Sequence, residues 1–150
     1  PGVPAWRAEL ALAVADDPER ADDLAASALD GVAEDFTWLA AHLIGGRAVA
    51  LAGSEVTLAR YLERLQPWSG LVCWQGTCSY GPVDTVLALL HHRCGNLAEA
   101  THHADLALEL VASLGAPVFE PELVELRRSL GDGFENSIAE SSSPDRFNAR

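Results

Sequence analysis

Between Pro82 and Leu114, two amphipathic runs flank a tight turn at Gly95-Asn96, and nothing else constrains the chain as strongly. The turn region reads Cys94-Gly95-Asn96-Leu97-Ala98-Glu99-Ala100, and Ala104, Ala107, Leu108 and Leu110 follow at helical spacing. Small residues stand where the second helix must approach the first. A helical hairpin of this size cannot bury its own apolar face, so it must stack on neighbours of the same kind. The pattern points to a scaffold for binding or assembly, and it does not name the partner.

Weaker units precede it. Pro4 suits the first turn of a helix carrying Leu10, Leu12 and Val14. Asp17 can cap a second helix with Pro18 at its first position and a stripe of Ala21, Leu24, Ala25, Ala28 and Leu29. A third runs roughly from Asp35 to Ala52, with Gly45-Gly46 as a thin surface or a kink. Ser54 can cap a fourth, with Val56, Ala59, Leu62 and Leu65 on one side, and Pro67 ends it. Gln66 to Gly81 follows as an aromatic loop, long against the usual ~2–8 residues between packed helices. Pro82 then opens the strong hairpin, and Pro121 to Leu130 reads as a short last helix. The expected fold is all-α, a right-handed helical-repeat array of about seven helices with one long aromatic loop. The expected domain covers residues 1–130, and 131–150, with Ser141-Ser142-Ser143-Pro144, reads as a disordered tail or linker.

Composition narrows the function. All ten basic residues are arginine and the net charge is −12, which argues against direct nucleic-acid binding and against anionic membranes. Such a charge suits a basic partner. No apolar run approaches the ~18–20 residues of a membrane span. The chain starts with Pro1 and contains no methionine, so it reads as a piece of a longer or processed protein. Cys73, Cys78 and Cys94 are an odd set without a signal peptide, which implies reduced thiols in the cytoplasm, with a Cys73–Cys78 disulfide as the lesser alternative.

From Trp6 to Leu130 the chain resembles the C-terminal tetratricopeptide-like region of large actinobacterial signalling ATPases. These include LuxR-type ATP-binding transcriptional regulators and class III nucleotide cyclases fused to an AAA-type ATPase. The resemblance rests on Pro4-Ala5-Trp6-Arg7, Thr37-Trp38-Leu39, Leu65-Gln66-Pro67-Trp68-Ser69-Gly70, Tyr80-Gly81-Pro82-Val83-Asp84 and the Cys94–Leu110 hairpin. It implies a regulatory role, sensing a ligand or partner and restraining an ATPase or a DNA-binding end. The chain itself carries no GxxxxGK[ST] phosphate loop and no basic helix-turn-helix.

On the tetratricopeptide pattern, the groove-lining positions are Pro82, Thr85, Leu89, His92 and Arg93. Leu89, His92 and Arg93 are the candidate partner contacts, since arginine grips a carboxylate through two parallel bonds. The alternative is that Arg93 is simply a solvated surface residue. Trp68, Trp74 and Tyr80 are candidates for a ligand wall or interface anchor, against the plainer reading of a packed loop sealing the array. Trp6 and Trp38 read as helix packing. His91, His102, His103 and Cys94 lack the tight paired spacing of zinc sites, so no metal and no cofactor is expected. Ser79, Cys78 and the histidines come without a nucleophile elbow, so no enzyme is expected. The expected function is a cytoplasmic protein–protein interaction and regulatory module. The partner would be a protein, a peptide or another domain of the same polypeptide. The alternatives are small-molecule sensing under the 66–81 loop, and homodimeric assembly through an unmated repeat face.

Overall fold

Short polar residues cut the chain into elements much as their capping chemistry dictates. The computed structural model describes residues 4–76 and 78–141, with side chains over 5–76 and 78–131. The helices are α1 (Pro4–Ala13), α2 (Pro18–Gly31), α3 (Trp38–Ala52), α4 (Glu55–Leu65), α5 (Val83–Arg93), α6 (Leu97–Leu114) and α7 (Glu120–Ser141). Between α4 and α5 lie the strands β1 (Val72–Gln75) and β2 (Cys78–Pro82). Asp17 accepts from the Arg20 amide at 3.3 Å, Ser54 from Thr57 at 3.2 Å and Asn96 from Glu99 at 3.4 Å. Each satisfies an amide that the first helical turn leaves without a partner. Gly95 turns the chain between α5 and α6 at φ 75, a conformation that costs a residue with a Cβ.

The packing follows chain order. α1, α3 and α5 lie side by side in succession. α2 packs against α1 and α3, α4 against α3 and α5, and α6 against α5 and α7. The main core joins Ala11 and Ala25 to Leu43, Val49, Leu58, Tyr61, Leu65, Val86, Leu87 and Leu90. A smaller cluster of Ala88, Ala100, Ala104, Leu126 and Leu130 binds α5, α6 and α7. Gly45 and Gly46 let α4 and α5 come close to α3. A Cβ on Gly46 would stand 2.6 Å from Val86 Cγ1, and one on Gly45 would overlap the Tyr61 hydroxyl. The two glycines cost helix propensity by about 1 kcal/mol each relative to alanine. The close approach they permit offsets that cost, and the helix runs through both.

The mainly helical class and the seven helices agree with the sequence reading; four details differ. The segment Gln66–Gly81 is not one long loop. A single 3-10 turn at Gln66–Trp68 leads into the antiparallel β1–β2 hairpin, paired Val72↔Pro82, Cys73↔Gly81, Trp74↔Ser79 and Gln75↔Cys78, with a bulge between Cys73 and Trp74. Val72, Trp74 and Tyr80 are strand formers, and Gly76 lies in the connection at φ 57. Trp6 is not packed but 70% exposed, because α1 buries the small Ala8 and Ala11 instead. On α4 the buried face is Thr57, Leu58, Tyr61 and Leu65, leaving Val56 exposed. Tyr61 sets that rotation: it is fully buried and donates its hydroxyl to the Ala25 carbonyl at 2.9 Å. The last helix does not stop at Leu130 but continues through Gly131-Asp132-Gly133 to Ser141. The remainder of the expected tail, 142–150, lies outside the described residues. Among the described residues no helix is long and apolar enough to cross a membrane.

Candidate functional site

Three of the five groove positions read from the sequence come together. Leu89, His92 and Arg93 of α5 line a cleft of about 670 Å³ with Leu12 of α1, Leu51 of α3 and Glu122 of α7. The α5 register explains this: Leu89, His92 and Arg93 lie three and four residues apart, on one face. Pro82 and Thr85, the other two, are buried and do not reach the cleft. They turn inward with the buried first turn of α5, Val83 to Leu87, whose start is tied by the Val83 amide donating to the Leu71 carbonyl at 2.9 Å.

The floor of the cleft is apolar, from Leu12, Ala50, Leu51 and Leu89. One rim is closed by an ion pair in which Arg47 of α3 grips both carboxylate oxygens of Glu122, the NH2–Oε2 bond being 3.2 Å. At the other rim His92 and Arg93 are exposed at the C-terminal end of α5. Among the described residues the Arg93 side chain makes no hydrogen bond or ion pair. A half-open apolar trough therefore ends on an exposed guanidinium.

A second arrangement is buried and was not legible beforehand. Asp84, in the first turn of α5, is fully buried, and its Oδ2 accepts from the Gly70 amide at 2.6 Å. Oδ1 accepts from the Ser69 hydroxyl at 2.7 Å and from His103 Nδ1 of α6 at 2.7 Å. Burial alone would push this carboxyl upward. The bonds from His103, Gly70 and Ser69 and the nearby imidazole charge outweigh it and hold Asp84 below the usual carboxylate range. His91 stacks on His103, ring centroids 5.3 Å apart and nearly parallel. Serine, histidine and aspartate are the residue types of a hydrolase triad, but here the carboxylate stands between the other two. The hydroxyl donates to Asp84, so the imidazole is not its base in this geometry. Two signals in the sequence mark the node. Asp84 opens an otherwise apolar run, and His103 shares the inner face of α6 with Ala100, Ala104 and Ala107.

The aromatic candidates separate. Trp74 points outward from β1 and is 67% exposed. Tyr80 borders a recess of about 170 Å³ beside Trp6 and Gln75. Trp68 stands elsewhere, tilted against Trp38 at 5.3 Å and lining a cleft of about 730 Å³. Tyr80 and Trp68 thus border different clefts, and Trp74 borders neither. Trp38 itself is buried as expected and stacks on His42 at 3.9 Å. His42 bonds the Trp38 carbonyl through Nδ1 at 2.7 Å, and its Nε2 is buried without a partner.

The remaining chemistry is quiet. Burial pushes the Cys73 thiol up to about 11, and no disulfide joins Cys73 to Cys78. Ser79 donates to the Cys73 carbonyl at 3.0 Å, a hairpin bond. Among the described residues no group of histidine, cysteine and carboxylate side chains has the geometry to hold a metal ion. Comparison of the chain with protein-family models, with curated proteins and with solved structures finds no match in any of the three.

Proposed function

We propose that this chain is a helical-repeat interaction module on the tetratricopeptide plan, in which the trough bearing Leu89, His92 and Arg93 docks a peptide or a neighbouring domain. One observation carries the reading: every residue lining the trough comes from an odd-numbered helix, α1, α3, α5 or α7. A row of alternate helices presenting one continuous surface is what stacked helical pairs produce, and it is how such arrays bind extended partners. The chemistry of the trough selects a segment with an apolar side chain for the Leu12–Leu51–Leu89 floor and a carboxylate, either acidic or C-terminal, for Arg93. On this reading the module is the regulatory C-terminal part of a larger signalling ATPase or transcriptional regulator.

Selection of random peptides against the wild-type protein tests the docking. The enriched sequences should pair an apolar residue with a carboxylate. A charge-assisted contact is worth about 1.5–3 kcal/mol, so Arg93→Glu should weaken them by roughly tenfold or more. Leu51→Asp, at an exposed floor position, should weaken them as well. Peptides that bind both variants as tightly as the wild type would remove the trough from consideration.

A further inference from the structure

We propose a second docking site, distinct from the trough, in the cleft beside Trp68: it takes an arginine or lysine side chain from a basic segment of a partner protein. The cleft is formed by the turn before α3, the start of α3, the outer side of α4 and the 3-10 turn. Its apolar walls are Phe36, Trp38, Leu39, Pro67 and Trp68. Phe36 is 81% exposed and Trp68 39% exposed, large aromatic surface that folding leaves in water. No guanidinium of the described residues lies over either ring.

The charges decide which occupant fits. Glu34, Asp35 and Glu63 supply carboxylates to the lining, against the guanidiniums of Arg60 and Arg64. Arg60 is already neutralised by an ion pair with Asp30 outside the cleft. Glu34 and Glu63 make no ion pair among the described residues, which leaves the cleft net negative. Asp35 is fixed: it accepts from the Thr37 hydroxyl at 2.7 Å and the Thr37 amide at 2.8 Å. Those bonds hold its carboxyl below the usual range, so Asp35 keeps its charge in mildly acidic solution. An aromatic face beside fixed carboxylates attracts an organic cation twice over, through the ring quadrupole and through direct charge. The whole chain, at −12, steers basic segments towards it and acidic ones away.

The probe is the peptide acetyl-Gly-Arg-Gly-Arg-Gly-amide, titrated into labelled wild-type protein while the Trp68 indole N–H resonance is followed. Saturable movement of that resonance is expected. The same peptide with citrulline for arginine keeps the shape without the charge and should bind about fivefold more weakly or worse. Trp68→Ala and the surface double variant Glu34→Gln/Glu63→Gln should each lower affinity by about threefold or more. The second guards against a folding defect in the first. Citrulline binding as well as arginine would overturn the proposal. So would undiminished binding to the glutamine variant, or no movement of Trp68 at peptide concentrations of about 10 mM. An acidic Gly-Glu-Gly-Glu-Gly control that moves Trp68 instead would reassign the cleft to Arg64 and anions. Movement confined to the backbone around Arg93 would place the peptide in the trough and leave no second site.

Discussion

Asp84→Asn is the perturbation with the largest consequence for its size. The change adds no volume, yet it replaces an acceptor-only group with one that also donates. The Gly70 amide keeps an acceptor, but the new NH2 group must face the Ser69 hydroxyl or His103 Nδ1, both of which donate to Oδ1. Ser69 is half-buried and rotates towards another acceptor. His103 is buried, and its Nδ1 can accept from the new NH2 only as the other neutral tautomer, which gives up its bond to a carboxylate. The loss is therefore that of hydrogen bonds to a charged acceptor, about 1.5–3 kcal/mol. Taking about 2 kcal/mol, and about 3 °C per kcal/mol for a chain of this length, Tm falls by about 6 °C. Urea titration followed by circular dichroism at pH 7 measures the difference. The pH dependence adds a second, independent reading. Because the folded state holds the Asp84 carboxyl below its unfolded value, its contribution is complete above roughly pH 4 and fades as pH falls through the folded value. The gap between wild type and Asp84→Asn should therefore stay wide at pH 5 and narrow towards pH 2.5. A gap under about 1 kcal/mol at pH 7 would refute the argument, because losing the charged acceptor of buried hydrogen bonds costs at least that. A gap that stays constant into strong acid would refute it too.

Three further outcomes follow from the packing. Gly45→Ala should destabilise by about 1–3 kcal/mol through overlap with Tyr61, and because the hydroxyl is the first atom met, Tyr61→Phe in the same chain should cost less than the sum of the single changes, as read from a double-mutant cycle of urea midpoints. Burial holds the His42 imidazole below its ordinary range, against its bond to the Trp38 carbonyl, so the unfolded chain binds this proton first and stability declines as pH falls below about 6.5. His42→Leu should flatten that decline in thermal melts between pH 7 and 5 without abolishing it, because burial and the His103 charge lower His91 in the same window. Trp74→Ser, on the exposed outer face of the hairpin, should change stability by less than about 0.5 kcal/mol, whereas Trp38→Ala should cost about 3–5 kcal/mol, both by chemical denaturation.

The helices were legible because their signals are local. Asp17, Ser54 and Asn96 act within three residues, so caps can be read in order along the chain. The hairpin β1–β2 was hidden by its company. Trp68, Leu71, Val72 and Trp74 form an apolar stretch without clean alternation, and the bulge after Cys73 breaks the period of two on which strand recognition rests. Trp6 and Val56 are large apolar residues that stay outside for two different reasons. Alanine-lined contacts bring α1 close to its neighbours and leave Trp6 outside, while the buried Tyr61 sets a rotation of α4 that turns Val56 to solvent. Leu89, His92 and Arg93 line one cleft because helical spacing puts them on one face, whereas Pro82 and Thr85, which the same repeat pattern names, turn inward. Asp84 escaped because its partners lie 14, 15 and 19 positions away in the chain, beyond any local pattern.

Because the trough draws its lining from alternate helices, the chain is unequally tolerant of changes in length. A residue inserted within α3 or α5 turns everything after it by about 100°, carrying Leu51, or His92 and Arg93, off the shared face. The same insertion in the turn at Ala15–Asp16, before a fresh cap at Asp17, leaves each helix in its own register. Divergence in length should therefore accumulate in the turns. The odd helices would keep a fixed count, whatever side chains they came to display.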